Sequence, residues 1–207
     1  MGTIRNVDLG LLGHFVPPGV FTRIDPDVEA LLGPLPELRD RVAGCVEFCG
    51  RLELGTTSPS PEELASGRKY LRAALAEFAS MDDAVQVDFA NLSGKQPPRM
   101  LESLDPRIHV VRLLRHANIH LSATTLSHSS RNAVWDGPAG RQEFEYPLPL
   151  GENLESSIRA TRDAARYKPS DLSAMVEWLD AEQREWGIAH TVLRSAELYA
   201  AIAAAAI

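Results

Sequence analysis

The sequence lacks several features that would assign it to a protein class at once. It has two cysteines, Cys45 and Cys49, and their spacing of one helical turn is poor geometry for a disulfide. No second cysteine pair is present for a zinc site. There is no charge-free apolar run of about 18 residues and no basic-then-apolar leader. We therefore expect buried thiols, and a cytoplasmic protein that does not span a membrane.

Two familiar catalytic loops are also missing, and positive charge is not in excess. The chain contains no glycine-rich phosphate loop and no Gly-x-Ser-x-Gly turn. Lysine and arginine total 21 against 28 aspartates and glutamates, which gives a net charge of −7. This balance argues against a general nucleic-acid coat protein, but it permits an enzyme with a local basic cleft.

Most of the chain consists of helical patterns separated by clear breaks. A length of 207 residues with 44% hydrophobic content is enough for one domain with a substantial core. Ser60, Pro61 and Glu63 have the spacing of a capping box at a helix start. Glycine and proline at 33–36 interrupt an earlier helix. The predicted helices cover 26–54 with that break, 61–89, 106–121, 153–166, 169–186 and 188–204, and Gly187 either separates the last two or is tolerated within one helix.

Two segments depart from the helical pattern. Residues 1–26 are rich in glycine and proline and predict an irregular lead segment. Residues 121–147 contain a serine-rich stretch, turn residues at 136–140 and alternating polar and aromatic residues at 141–146. We predict a small β-hairpin at 121–147, ended by residues 147–151. The fold prediction is one all-α domain, with residues 27–207 forming a bundle of five to seven helices and a minor hairpin.

The stretch from Asp105 to Leu121 has the most distinctive composition. Asp105 and Pro106 suit an N-cap and a first helical position. At about 100° per residue, leucine, valine and alanine occupy one face of the helix. No carboxylate follows Asp105 in this stretch. The opposite side carries the cationic residues and two isoleucines: Arg112, Arg115, His109, His116, His120, Ile108 and Ile119.

The sequence from Arg115 to His120 resembles a known family signature. It reads Arg-His-x-x-x-His, which is similar to the R-x4-6-H motif of HEPN domains, where Asn, Asp or His commonly follows the arginine. The resemblance implies an all-helical bundle that acts as a metal-independent ribonuclease in toxin–antitoxin or phage-defence systems. It also implies a homodimer, RNA as substrate and an antitoxin protein as partner.

RNA cleavage without a metal needs a base for the 2′-hydroxyl proton, an acid for the leaving oxygen and a cation for the developing phosphorane. On the resemblance, Arg115 would hold the phosphate, His120 would position or deprotonate the 2′-hydroxyl, and His116 would add a polar contact. The product would carry a 2′,3′-cyclic phosphate, and no cofactor would be needed. Neighbouring residues that would extend the phosphate path are Arg112, His109 and Arg107.

The separation of Arg115 and His120 places a condition on this mechanism. Five residues correspond to about 140° around an ideal helix, so the two side chains of one straight helix point apart. The chemistry is easier if two copies face each other, or if the helix ends near His120. Ile108 and Ile119 on the cationic side would suit a dimer contact.

Two alternative functions remain. One is a metal site on the same helix, and the other involves no catalysis. His116 and His120 are four residues apart and His109 lies two turns back, so these three could hold a divalent metal. This would resemble the histidine sites of DinB-like bundles, although neighbouring arginines would oppose a cation. The other alternative is a non-catalytic helical module that binds a protein partner.

Overall fold

Seven α-helices and one β-hairpin make up the described part of the chain. The structure is a computed structural model that describes residues 4–15, 23–52, 58–92, 96–120, 126–137 and 140–207. At 119, 120, 133, 135–137 and 144 the description is confined to the backbone. The helices are α1 (Pro26–Leu31), α2 (Pro36–Leu52), α3 (Pro61–Asn91), α4 (Pro106–His120), α5 (Leu154–Arg159), α6 (Pro169–Trp186) and α7 (Ile188–Ala205).

The predicted fold, an all-α bundle with a minor hairpin, is confirmed. The break at 33–36 separates α1 from α2, and Ser60 with Glu63 forms the capping box that begins α3. The described part of the lead segment has no regular structure except a 3₁₀ turn at Leu9–Leu11. None of the described helices is both long enough and apolar enough to cross a membrane.

Helix α7 lies at the centre of the bundle. It contacts α1, α2, α3, α4 and α6 as well as the hairpin. Alanines supply much of its surface, and small side chains let neighbouring helices pack closely against it. Cys45 and Cys49 of α2 are fully buried and not disulfide-bonded, as predicted. Burial raises the pKa of the Cys45 thiol well above its usual value, which keeps the thiol protonated and unreactive.

The hairpin is longer than the sequence indicated. Strands β1 (Leu126–Gly137) and β2 (Gly140–Gly151) pair antiparallel over their whole length, with Leu126 opposite Gly151. The prediction that residues 147–151 end the hairpin is wrong, because Pro147 and Pro149 lie within β2. A strand of a two-stranded sheet has a free edge, so a proline there can leave its missing N–H on the unpaired side.

The predicted helix at 153–166 is interrupted. It consists of α5 followed by a 3₁₀ turn at Arg162–Arg166. The Thr161 hydroxyl donates to the Ile158 carbonyl at 2.7 Å and accepts from the Ala164 N–H at 3.3 Å. A threonine that bonds both backbone segments in this way offers the chain an alternative to continuous helix. The turn brings the residues from Asp163 to Tyr167 against α4.

Gly187 separates α6 from α7 in a backbone conformation that side chains rarely adopt. Its φ of 84° and ψ of 154° are largely restricted to glycine. We expect Gly187→Ala to lower the free energy of unfolding by about 1–3 kcal/mol, measured by urea denaturation. Gly33→Ala is the matched control, because Gly33 lies in an exposed turn without positive φ. Equal losses for the two variants would contradict this explanation of the break.

Candidate functional site on helix α4

Arg107, the first predicted site residue of α4, has a structural role at the start of the helix. The Asp105 carboxylate accepts from the Arg107 backbone N–H at 3.0 Å and from the Arg107 guanidinium at 2.7 Å. The same guanidinium lies 4.9 Å from the centre of the Phe15 ring. Arg107 is therefore neutralised by the residue that caps its own helix, and its guanidinium lies over an aromatic ring of the N-terminal segment.

His109 is a core residue rather than a surface one. Its side chain has no exposed area, and both ring nitrogens are bonded. The Ser103 carbonyl can only accept, so Nε2 carries the proton at 2.8 Å and Nδ1 accepts from the Tyr167 hydroxyl at 2.8 Å. Burial lowers the pKa of His109, which keeps the imidazole neutral. The predicted place of His109 on an RNA-facing surface is corrected accordingly.

Arg112 and Arg115 lie one turn further along, half-buried and close to each other. The Nε of each is buried without a hydrogen-bond partner. Arg112 donates through Nη1 to the Ala79 carbonyl at 2.7 Å. Burial lowers the pKa of Arg115, and the charge of Arg112 lowers it further. Neither arginine forms an ion pair with a carboxylate of the described chain.

The end of α4 contains the two remaining motif residues. His116 Nε2 lies 3.5 Å from an oxygen of Asp163 in the 3₁₀ turn, so its imidazole faces that turn. His120 is the last residue of α4, and its side chain lies outside what the structure describes. The structure thus places Arg112, Arg115 and His116 along the middle and second half of α4, while the position of the His120 imidazole relative to them stays a prediction.

The isoleucines of the cationic side do not form the expected dimer surface. Ile108 has no exposed area and belongs to the core, so the prediction that it makes a dimer contact is wrong. Its burial follows from the packing of α4 against α3, α5, α6 and α7, which leaves little of the helix exposed near its start. The side chain of Ile119 lies outside the described part.

One of the three histidines of the alternative metal site already has other partners. Both ring nitrogens of His109 are already bonded, so it could bind a metal only by breaking contacts with Ser103 or Tyr167. Among the side chains that the structure describes, no three histidines, cysteines or carboxylates are grouped as metal ligands. His116 is left facing a carboxylate of the 3₁₀ turn.

Other residues join this site from parts of the chain that the sequence analysis did not connect. The backbone N–H of Arg5 donates to the Arg166 carbonyl at 2.7 Å, which ties the N-terminal segment to the 3₁₀ turn. The Arg5 guanidinium lies 6.0 Å from the centre of the Tyr167 ring. No local pattern marks Arg5 or Arg166, because their proximity to α4 depends on contacts between distant residues, such as Tyr167 with His109 and Arg5 with Arg166.

The comparisons with known proteins give no relative. No protein-family model, curated protein or solved structure matches the chain. The resemblance to HEPN domains therefore depends on the α4 motif and the helical fold.

Proposed function

We propose that the protein is a HEPN-like, metal-independent endoribonuclease of the toxin or defence type that acts as a homodimer. The observation that carries the proposal is the pair Arg112 and Arg115. Their guanidiniums are half-buried and adjacent, each with a buried Nε that lacks a partner, and neither forms an ion pair within the described chain. In a protein of net charge −7, two such neighbours without a carboxylate favour an external anion.

A phosphodiester suits this pair better than a carboxylate of the protein would. Guanidinium is planar and presents its N–H groups as a fork that matches two phosphate oxygens. Repulsion between Arg112 and Arg115 is relieved when an anion lies between them, so binding is favoured by the same electrostatics that lower the pKa of Arg115. Partial burial strengthens that attraction relative to an arginine on an open surface.

The proposed cleavage step combines the arginine pair with the roles that the resemblance implies for the histidines. The 2′-oxygen attacks the phosphorus, the P–O5′ bond breaks, and His120 accepts the 2′-hydroxyl proton. A second protonated group, either His116 or the His120 of the other copy, donates a proton to the leaving 5′-oxygen. Arg115 stabilises the charge on the non-bridging oxygens, with Arg112 beside it. The products are a 2′,3′-cyclic phosphate and a 5′-hydroxyl.

The homodimer resolves the angular separation within α4. Arg115 and His120 point about 140° apart on one ideal helix. If two copies of α4 face each other, Arg115 of one copy and His120 of the other can approach the same phosphate. Arg115 retains exposed area for this purpose, whereas the buried start of α4 does not.

The test is a cleavage assay on labelled single-stranded RNA in EDTA, with wild type compared against His120→Ala. We expect the wild type to cut and the variant to be slower by about 100-fold or more, because loss of a general base costs about 10²–10⁴ in rate. Arg184→Ala is the control, since it removes one exposed positive charge from α6. Digests should show cyclic phosphate ends.

Three results would count against the proposal. Intact RNA with the wild type would exclude the nuclease, and RNA that is bound but uncut would favour the non-catalytic module. Cleavage that disappears in EDTA and returns with a divalent metal would favour the alternative in which His116 and His120 bind a metal. Equal cleavage by wild type and His120→Ala would show that the motif does not take part in the mechanism.

A further inference from the structure

Four arginines around α4 each have one buried hydrogen-bond donor that is not satisfied. Within the described chain, Arg5, Arg112, Arg115 and Arg166 each have a buried Nε without a hydrogen-bond partner. Arg194 has this feature too, but its guanidinium is paired with the Glu197 carboxylate. The four around α4 form no ion pair among the described residues. A group of arginines that the protein does not neutralise is a site for an anion.

The fold places Arg5 and Arg166 around the same buried residue as Arg112 of the α4 pair. Tyr167 is the common neighbour, since its hydroxyl bonds His109 of α4 and its ring lies 6.0 Å from the Arg5 guanidinium carbon. Burial raises the pKa of Tyr167 to about 12 and the charge of Asp163 acts in the same direction, while the charges of Arg5, Arg166 and Arg112 act in the opposite direction. Three arginines from three segments therefore act on one buried hydroxyl.

The contacts that Arg5 and Arg166 make leave their charges available. The Arg5 guanidinium donates to the Leu101 carbonyl at a long 3.3 Å, and its backbone N–H holds the Arg166 carbonyl. Two carboxylates lie in this region, and neither forms an ion pair with Arg5 or Arg166: Asp163 lies 3.5 Å from His116 Nε2, and Asp105 is paired with Arg107. Both arginines keep part of their surface exposed.

We propose that Arg5 and Arg166 form a second phosphate-binding subsite, which holds single-stranded RNA beside the scissile phosphate at Arg115. The choice of RNA as the ligand rests on the proposed function. The subsite lies on the N-terminal segment and the 3₁₀ turn, so the RNA backbone follows a path across three segments of the chain. An unpaired strand can follow such a path, and its nucleotides are free to reach the in-line geometry that 2′-hydroxyl attack needs.

The test measures binding without cleavage. A 2′-O-methylated oligonucleotide has no 2′-hydroxyl to attack, so its affinity can be measured by fluorescence anisotropy over a range of salt concentrations. Each phosphate contact on a single strand contributes about 0.7 to the slope of log K against log salt. We expect Arg5→Ala/Arg166→Ala to reduce that slope by about 1.4, whereas Arg5→Lys/Arg166→Lys keeps most of it.

Controls distinguish a loss of the subsite from a change in net charge and from a loss of folded protein. Arg141→Ala/Arg184→Ala removes the same two charges from exposed positions of β2 and α6, and it should leave the slope nearly unchanged. Circular dichroism shows whether each variant is folded. If the double alanine variant is not, Arg5→Gln/Arg166→Gln keeps polar side chains of similar length and tests the same loss of charge.

The outcomes distinguish this inference from the function on which it rests. No binding of the oligonucleotide by the wild type would overturn both. Binding whose slope falls in Arg115→Ala but stays unchanged in the Arg5/Arg166 variants would overturn the subsite alone. An equal fall for the Arg141/Arg184 control would also overturn it, because the effect would then come from overall charge.

Discussion

Arg115→Ala is expected to slow RNA cleavage by about 100-fold or more without loss of folded protein. Removing one pre-positioned group that stabilises transition-state charge typically costs about 10²–10³ in rate. Arg115 contributes little to the fold, because its Nε has no partner and its charge is partly desolvated beside Arg112. We therefore expect the free energy of unfolding to stay within about 0.5 kcal/mol of wild type or to rise.

Single-turnover cleavage with excess enzyme measures this effect on the chemical step, and urea denaturation of the same samples measures stability. Arg115→Lys is the informative companion, since lysine keeps the charge but loses the planar fork. Its rate should lie between those of wild type and Arg115→Ala. A loss of activity in proportion to a loss of folded protein would show that Arg115 acts through the fold and not on RNA.

Asp88→Ala is expected to destabilise the fold by about 3 kcal/mol, through loss of a cap supplied from another helix. Asp88 of α3 is buried, and its two carboxylate oxygens accept from the backbone N–H groups of Glu37 and Leu38, at 3.1 and 2.9 Å. These N–H groups open α2, where the preceding Leu35 has no side-chain acceptor. Hydrogen bonds to charged groups contribute about 1.5–3 kcal/mol each, and their loss leaves two N–H donors unsatisfied.

For a chain of this size, a loss of about 3 kcal/mol corresponds to a fall in Tm of roughly 6–12 °C. Asp83→Ala, at an exposed position of the same helix, is the matched control and should shift Tm little. Asp88→Asn keeps one acceptor oxygen and should recover part of the loss. Equal shifts for Asp83→Ala and Asp88→Ala would mean that the cap across helices contributes nothing measurable.

Local signals predicted much of the fold. The capping box at Ser60 and the proline-rich break at 33–36 both act within a few residues, so their effects can be read from the sequence. The sequence left open whether Gly187 breaks a helix, and the structure shows that it does. The cap of α2 could not be predicted, because Asp88 lies about 50 residues away from the N–H groups that it accepts from. The extent of the hairpin was missed because Pro147 and Pro149 normally end a strand and are tolerated here at a free edge.

The site was harder to predict than the fold, for the same reason. A helical wheel sorted α4 into an apolar and a cationic face, but α4 packs against four other helices. Ile108 and His109 are buried as a result, although both lie on the side that the wheel assigned to solvent. Arg112, Arg115 and His116, which lie further along the helix, keep exposed area. Arg5 and Arg166 approach α4 through tertiary contacts between distant parts of the chain. No periodic pattern in the sequence predicts such contacts.

The central position of α7 has a consequence for synthesis of the chain. A ribosome produces residues in order, and α1 to α4 are made well before the helix against which they all pack. Until α7 follows, the apolar faces of these earlier helices have no completed core to cover them, so the nascent chain is prone to aggregation or chaperone binding. Arg112 and Arg115 of α4 therefore reach their final positions only after the bundle closes around α7. We expect the nuclease activity proposed for this pair to begin only after translation has passed α7.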